Sequence, residues 1–329
     1  MPQNNKTIKV AAGVIIDTRG RVLVARRPLG KHQGGLWEFP GGKIETGEST
    51  LAALARELEE EVGIHITSSE SLICIRHAYP DKNVCLDVLR VTEFSGNAWG
   101  REGQEIAWVA AEDLPKLKFP AANVAIVAAA RLPRCTMITG AFDSDEEFQQ
   151  RLRQGLMRQD LNHPVGMVQF RAPWLNRQDY SRLTKMAHEM CRAHNVPLLL
   201  NCSIDTFHAI NSGVLYCEGL HLTSTVLASL NARPIAPELW LSAACHNLHE
   251  IKLAEALGAD FISLSPVQPT RSHPGQPALG WCKFAMCTEE ARLPVYALGG
   301  LVSGDLEFAI KHGAQGIAAI GAYWQTDNV

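Results

Sequence analysis

The sequence predicts an α/β protein of two domains, the second of which is a (βα)8 barrel. Three observations support this prediction. The chain has 329 residues, and chains of this length usually form two domains. Residues 8–131 place one amphipathic helix among short strand patterns, whereas from Cys135 onward short apolar strands alternate with helical stretches. Because the join at 131–134 is only a short Arg-Leu-Pro-Arg segment, we predict domains at 1–131 and 135–329.

The composition is that of an ordinary globular protein, with 46% hydrophobic and 20% charged residues. A net charge of −3 provides no basic field for a nucleic-acid polymer. The chain contains no apolar run of about 18 residues and no signal-peptide pattern at its start. Nine scattered cysteines without a CxxC motif are typical of free thiols in a reducing compartment. We therefore expect a cytoplasmic protein that binds neither nucleic-acid polymers nor membranes, and its oligomeric state stays open.

Turn residues bound the strand patterns of the first domain. We predict that Val22–Arg26 pairs with Ile8–Asp17 across a turn at Arg19-Gly20. The other predicted elements are the strands Leu72–His77, Val84–Thr92 and Ile106–Val109 and the helix Val124–Leu132.

The amphipathic helix lies in the segment from Gly42 to Ile64. Ser49 and Thr50 are good N-cap residues, and Gly63 is typical of the position just after a helix, so the helix is predicted between them. Apolar residues recur at spacings of three and four and predict one buried stripe. The members of this stripe are Leu51, Leu54, Ala55, Leu58 and Val62.

Three glutamates, Glu57, Glu60 and Glu61, stand at i, i+3 and i+4 on the face opposite this stripe. Together with Glu59 they crowd like charges into the half of the helix that lies nearer its negative dipole end. A solvated glutamate-rich helix is the ordinary interpretation of such a pattern. A bound divalent cation would remove the repulsion, and oxygen clusters of this kind suit Mg²⁺ or Mn²⁺.

The whole segment resembles the Nudix box. The matching residues are Gly42, Glu48, Arg56, Glu57, Leu58, Glu60, Glu61, Gly63 and Ile64. The resemblance implies an α/β/α sandwich that hydrolyses a diphosphate linked to another moiety and requires Mg²⁺ or Mn²⁺. It further implies that Glu57, Glu60, Glu61 and the Gly41 carbonyl bind the metal, while Arg56 holds the carboxylates in place.

Three further segments look like those of MutT-type 8-oxo-dGTP diphosphatases: EFPGGKIE at 38–45, REGQ at 101–104 and FPAAN at 119–123. This resemblance implies that Glu102 is a further metal ligand or general base and that Asn123 binds the oxidised guanine edge. It also implies that Arg27, Phe39 and Tyr79 line the nucleotide pocket. On composition alone, Asn123 would be a helix cap and Glu102 a solvated acid. The implied reaction converts 8-oxo-dGTP and water to 8-oxo-dGMP and diphosphate.

Eight short apolar segments of the second domain predict the barrel. The predicted strands are Thr136–Thr139, Gly166–Phe170, Pro197–Asn201, Gly219–Leu222, Trp240–Ala243, Phe261–Leu264, Val295–Leu298 and Gly316–Ile320. Gly299-Gly300 and Gly321 follow the last two strands, where barrels of this type often bind phosphate.

The second domain resembles thiamine phosphate synthase and its TenI-type relatives. The resemblance is carried by VQFR, LLLN, GLHL, SAACHN, GADFISLSPVQPT, PVYALGG and GAQGIAAI, in that order. It implies a ligand site at the strand ends, which can hold a phosphorylated thiamine-pathway compound. The residues of this implied site are Gln169, Arg171, Asn201, His221, Asn247, Thr270, Gly299, Gly300 and Gly321.

The sequence departs from the synthase pattern at the positions that handle a diphosphate. Pro173 replaces a lysine, Cys202 replaces an aspartate, and Ser272-His273 replaces a Thr-Lys pair. The residues after His221 provide no acid. Without these Mg²⁺ ligands and cationic partners the transition state would lack neutralisation, so we expect a barrel that is degenerate as a synthase.

Three functional hypotheses follow. The first is a nucleotide-pool enzyme that removes 8-oxo-dGTP, which links it to DNA replication and repair, with the barrel as an accessory for stability, association or ligand binding. The second keeps the Nudix chemistry but takes a thiamine-pathway diphosphate as substrate. The third makes the barrel a sensor of a phosphorylated ligand that regulates the Nudix domain.

Overall fold

The computed structural model describes residues 7–30, 33–78, 83–158, 163–213, 217–270 and 277–324. The chain divides into two compact units, Met1–Arg131 and Leu132–Val329. Each unit has its own hydrophobic core.

Within its described residues, the first unit contains seven strands and two α-helices. In chain order these are β1 (Thr7–Ile15), β2 (Arg21–Arg26), β3 (Trp37–Glu38), β4 (Gly41–Lys43), α1 (Thr50–Val62), β5 (His65–Ala78), β6 (Asn83–Ser95), β7 (Ile106–Ala110) and α2 (Val124–Arg131).

The strands build two sheets. One has the order β4-β1-β6-β5 and the other the order β3-β2-β7. Strand β1 is parallel to β6 and antiparallel to β4, and both of its faces are covered. Ala11 and Ile15 pack with α1, whereas Ala12 and Val14 pack with α2. Because successive strand residues point to opposite faces, this one strand contributes to both halves of the core.

The predicted pairing of the first two strands is wrong. Strands β1 and β2 belong to different sheets and share only the bridge between Ile16 and Val22. Both edges of β1 are occupied by β4 and β6, and both edges of β2 by β3 and β7. The turn at Arg19-Gly20 therefore passes the chain from one sheet to the other.

The predicted helix boundaries are confirmed. The Ser49 side chain accepts a hydrogen bond from the Ala52 N–H, and Gly63 ends α1 in the left-handed conformation with φ of 72°. The predicted stripe is wrong at Leu51, which is 48% exposed, and Ala55 is only partly buried, while Ala53 is buried instead. The first turn of the helix is bound at Thr50, whose hydroxyl donates to Asp87 of β6, and this contact leaves Leu51 facing outward.

The second unit is a closed eight-stranded parallel barrel, which confirms the predicted fold class. Its strands are β8 (Cys135–Ile138), β9 (Met167–Arg171), β10 (Leu198–Asn201), β11 (Gly219–Leu222), β12 (Trp240–Cys245), β13 (Phe261–Leu264), β14 (Val295–Leu298) and β15 (Gly316–Ala319). Its helices are α3 (Asp145–Met157), α4 (Arg177–Ala193), α5 (Ile204–Asn211), α6 (Ser224–Ser229), α7 (Leu248–Leu257), α8 (Gly280–Glu290) and α9 (Leu306–Lys311).

Neighbouring barrel strands are parallel and run in sequence order around the circle, with β15 closing onto β8. This geometry brings the carboxyl end of every strand to the same rim, where barrel enzymes place their active sites. Within the described part of the chain, no helix is both long and apolar enough to cross a membrane.

Candidate active site

The site of the first unit is organised around α1, and Arg56 is the hub of its polar face. The Arg56 guanidinium donates two hydrogen bonds of 3.0 Å to the Glu48 carboxylate and one of 2.9 Å to Glu57. It also donates to the Lys43 carbonyl at 3.2 Å and lies 3.6 Å from Glu60. The hydrogen bonds from Arg56 to Glu48 are the main cause that lowers the pKa of Glu48. Arg56 thus lies where it can orient the glutamates, as the sequence predicts.

The glutamates of α1 differ in exposure. The Glu57 side chain is only 17% exposed, whereas the Glu60 side chain is 60% exposed. Glu61 is half-buried, and burial is the main cause that raises its pKa to about 7. The carboxylates of Glu38, Glu57 and Glu102 raise this pKa further. Glu61 is therefore at the centre of an acidic cluster that spans several elements.

Two glycines make room for these carboxylates. The Gly41 N–H donates to Glu61 Oε2 at 3.4 Å. A Cβ atom on Gly42 would lie 2.1–2.3 Å from the carboxylate group of Glu57. Any residue other than glycine at position 42 would therefore displace this carboxylate. The glycine at position 42 is therefore explained by the space that the Glu57 carboxylate occupies.

The loop 99–104 is fixed to the C-terminal end of α1. The backbone N–H of Trp99 donates to Val62 O at 3.1 Å, and that of Arg101 donates to Glu61 O at 2.9 Å. The Arg101 side chain donates to Glu59 O at 2.7 Å. Helix ends leave carbonyl groups without helical partners, and these bonds satisfy several of them.

Gln104 connects this loop to the acidic cluster. Its side-chain Nε2 donates to Glu61 O at 3.0 Å, and its Oε1 accepts from the Glu102 N–H at 2.9 Å. Gln104 therefore holds Glu102 next to α1. Sequence reasoning singled out Glu102 in the REGQ segment but missed the part played by Gln104. Sequence reasoning also missed Glu38, whose carboxylate raises the pKa of Glu61. Gln104 and Glu38 both belong to the segments that carry the resemblance, REGQ and EFPGGKIE.

The donor set fits a divalent cation. Carboxylate oxygens are the ligands that Mg²⁺ and Mn²⁺ prefer. Burial, and secondarily the neighbouring carboxylates, raises the pKa of Glu61. As the side chains stand, the described ranges contain no ready group of three or more His, Cys, Asp or Glu disposed around one point. Glu57 and Glu60 instead contact Arg56. Sharing an ion would require these glutamates to change rotamer.

The residues expected to bind the nucleotide lie on several segments of the first unit. Arg27 forms an ion pair with Glu38. Phe39 is buried and stacks on Phe119, with ring centroids 5.4 Å apart. Asn123 ends a short 3-10 turn that runs directly into α2. Tyr79 lies outside the described residues.

The two aromatic residues before the helix differ in burial. The sequence makes both candidates for the core and favours Trp37, and Trp37 does pack against the core cluster that contains Phe39. Phe39 is only 4% exposed, whereas Trp37 is partly exposed and lies under the Arg26 guanidinium at 5.9 Å. The stack with Phe119 explains why the more buried position is taken by Phe39.

In the barrel, the predicted residues of β9, β10 and β11 lie close together at the carboxyl ends of the strands. Asn201 Nδ2 donates to His221 O at 2.9 Å, and His221 Nδ1 lies 2.7 Å from the Ser242 hydroxyl. Burial, and secondarily Arg171, lowers the pKa of His221 to about 4. The imidazole is therefore neutral at pH 7. Gln169 is buried beside them on β9.

The remaining predicted barrel residues are on the loops. The Asn247 side chain caps α7 by accepting from the Glu250 N–H at 3.0 Å. Gly299 and Gly300 have φ of 103° and 70°, and a Cβ on either would contact the backbone of the loop after β13. Two more predicted residues, Thr270 and Gly321, belong to the described chain. Ser272-His273 lies outside the described residues.

Comparisons with known proteins agree with both halves of this description. The model of the Nudix domain matches residues 11–129, and that of thiamine monophosphate synthase matches residues 135–323. An 8-oxo-dGTP diphosphatase of Proteus vulgaris is 43% identical over 100 residues, which cover 30% of this chain and 89% of that protein. The corresponding enzyme of Escherichia coli (strain K12) is 36% identical over 126 residues, which cover 37% of this chain and 95% of that protein.

A putative thiamine-phosphate synthase 2 of Aquifex aeolicus (strain VF5) is 31% identical over 192 residues. The match covers 58% of this chain and 98% of that protein. The chain therefore belongs to the Nudix family through its N-terminal unit, which is a Nudix hydrolase, and to the thiamine monophosphate synthase family through its barrel.

Proposed function

We propose that the N-terminal domain is a Mg²⁺- or Mn²⁺-dependent diphosphatase that converts 8-oxo-dGTP to 8-oxo-dGMP and diphosphate. The observation that carries this proposal is the acidic cluster around Glu61, to which Gln104 ties Glu102. Two relatives, at 43% and 36% identity, are 8-oxo-dGTP diphosphatases, which supports the substrate, whereas a relative at 38% identity is a CTP pyrophosphohydrolase.

The proposed roles follow from position. Glu57, Glu60, Glu61, Glu102 and the Gly41 carbonyl hold the metal, and Arg56 orients Glu57. When bound, the metal would neutralise phosphate charge and lower the pKa of the attacking water. Glu102 is at the edge of the cluster on an exposed loop, where it can also accept a proton.

The base would be recognised beside Asn123. Arg27, held by Glu38, supplies a cation close to the acidic cluster, and Phe39 supports the pocket through its stack on Phe119. Asn123 is partly exposed, and a bound base would cover its amide. A covered amide that matches one donor and acceptor pattern penalises a base with a different pattern, because polar groups are then left unpaired. We infer that this penalty distinguishes oxidised from normal guanine.

The first test compares kcat/KM for 8-oxo-dGTP, dGTP, thiamine diphosphate and hydroxymethylpyrimidine diphosphate with Mg²⁺. We expect a strong preference for 8-oxo-dGTP. In Asn123→Ala, the preference over dGTP should fall by about 10- to 100-fold, which corresponds to the cost of an unpaired polar group. A preference for either thiamine-pathway compound would overturn the substrate assignment.

A second test concerns the metal ligands. Glu57→Gln keeps the size of the side chain but removes its charge, and we expect a loss of about 10²-fold or more in kcat. Glu59→Gln is the matched control, because Glu59 is on the same helix with a 56% exposed side chain and has no proposed role. Equal activity of the two variants would refute the metal assignment.

We propose that the barrel binds a phosphorylated thiamine-pathway ligand without acting as a synthase. Arg171 and the neutral His221 provide a cation and a hydrogen-bonding ring at the strand ends, whereas Cys202 replaces the expected acid. Calorimetry with thiamine monophosphate on the full chain and on Arg171→Ala tests this idea. Thiamine monophosphate formation by the wild-type chain would show that the barrel is a synthase.

A further inference from the structure

Two cysteines of the Nudix domain are in direct contact. Cys74 on β5 and Cys85 on β6 have their sulfur atoms 3.5 Å apart. In the antiparallel pairing, Cys74 is opposite Asp87 and Cys85 is opposite Arg76, so the two thiols are diagonal neighbours on one face of the sheet. A disulfide bond of about 2.05 Å would require the sulfur atoms to approach by about 1.5 Å. Because diagonal neighbours on a sheet lie near the upper limit of the separation that a disulfide spans, the two strands would also have to draw together slightly. The strand register need not change.

Two cations flank Cys85 in the sheet. Lys9 is its direct partner on β1, and Arg76 is its direct partner on β5. A hydrogen bond from the Cys74 thiol is the main cause that lowers the pKa of Cys85. Arg76 and Lys9 lower this pKa as well, whereas burial and Asp87 act in the opposite direction. The same hydrogen bond, together with burial, raises the pKa of Cys74. The charges around the pair therefore favour the thiolate at Cys85, which has Lys9 and Arg76 as direct partners, over Cys74, which is opposite Asp87.

The pair is accessible from solvent. Cys74 is exposed, and Cys85 is partly exposed. Most of the other cysteines differ, since Cys191, Cys217 and Cys245 are buried in the barrel and burial raises the pKa of each. Thiols that are ionised, accessible and next to a second thiol are those that oxidants modify first.

We propose that Cys74 and Cys85 form an oxidation site that reacts with a peroxide and closes to an intradomain disulfide. The Cys85 thiolate attacks one peroxide oxygen, the O–O bond breaks, and the leaving oxygen takes a proton to become water or an alcohol. Cys85 is then a sulfenic acid. Cys74 Sγ attacks Cys85 Sγ, the S–O bond breaks, and the hydroxide leaves as water with the proton of Cys74. The two thiols supply the two electrons that reduce the peroxide.

The site borders the helix that carries the catalytic glutamates. Asp87, opposite Cys74, accepts a hydrogen bond from the hydroxyl of Thr50 in the first turn of α1. The disulfide would hold β5 and β6 together at this point. The inference concerns the thiols themselves and does not depend on which substrate the Nudix domain hydrolyses.

Peptide mapping tests the proposal on the full chain. The reduced protein is treated with one equivalent of hydrogen peroxide, remaining thiols are blocked with iodoacetamide, and the chain is digested with trypsin. Arg76 and Lys82 separate the two cysteines, so trypsin places them on different peptides unless a disulfide joins them. We expect a linked pair of peptides that contains Cys74 and Cys85 and separates on reduction. Cys282, the other exposed cysteine, is the internal control and should remain alkylated.

Single variants distinguish the two roles. In Cys74→Ser, a 1,3-diketone should trap a sulfenic acid at Cys85. In Cys85→Ser, oxidation of Cys74 should slow by about tenfold or more, because burial and the neighbouring Asp87 disfavour its thiolate. The proposal is overturned if Cys74 and Cys85 stay alkylated while Cys282 oxidises. It is also overturned if Cys74 oxidises at the wild-type rate in Cys85→Ser.

Discussion

Replacing Gln104 by alanine should reduce catalysis while leaving the fold almost intact. The substitution removes the hydrogen bonds to Glu61 O at 3.0 Å and from the Glu102 N–H at 2.9 Å. Each hydrogen bond contributes about 1 kcal/mol, so the free energy that holds Glu102 in its position beside α1 falls by about 2 kcal/mol. That free energy corresponds to an upper limit of about thirtyfold in kcat/KM.

Global stability should change far less, for two reasons. The Glu61 carbonyl keeps its bond from the Arg101 N–H at 2.9 Å. The Glu102 N–H is on an exposed loop, where water can replace the lost acceptor. We therefore expect a change in the free energy of unfolding below about 1 kcal/mol.

The assay measures kcat and KM with Mg²⁺ for Gln104→Ala, for Glu102→Gln and for the double variant. If Gln104 acts by positioning Glu102, the second substitution adds little to the first. Arg101→Ala is the matched control, because its side chain binds the same helix end without touching Glu102. Additive losses, or an equal loss in Arg101→Ala, would refute the reasoning.

Two further predictions concern the two domains. Gly42→Ala should lower kcat/KM by on the order of 10²-fold, because the new Cβ displaces the Glu57 carboxylate, while Gly30→Ala, which meets open space, should be neutral in the same kinetic assay. In the barrel, the folded pKa of His221 is lowered from 6.5 to about 4, so the unfolded state binds more protons between these pH values. Stability is full above about pH 6.5 and falls by up to about 3 kcal/mol as the pH drops to 4, with burial and Arg171 as causes. Urea unfolding of the barrel should show this slope in the wild type and lose it in His221→Asn; an unchanged slope would contradict the assignment.

The sequence by itself determined the local elements. The bounds of α1 followed from Ser49 and Gly63, because a cap and a left-handed glycine act within a few residues of the helix end. Three barrel strands, Gly219–Leu222, Phe261–Leu264 and Val295–Leu298, have the predicted bounds, since short apolar runs between turns are local signals.

Only the tertiary structure decided which distant segments meet. The sequence did not show that β1 pairs with β6 rather than β2, because both strands have partners elsewhere in the chain. It placed Glu102 near the site by resemblance, but the clamp from Gln104 depends on a loop folding back onto the helix end. It treated Cys74 and Cys85 as scattered thiols, although the register of β5 and β6 brings their sulfur atoms into contact. Strand register and loop docking are set by packing between segments that are far apart in sequence. The spacing of residues along the chain therefore does not predict either of them.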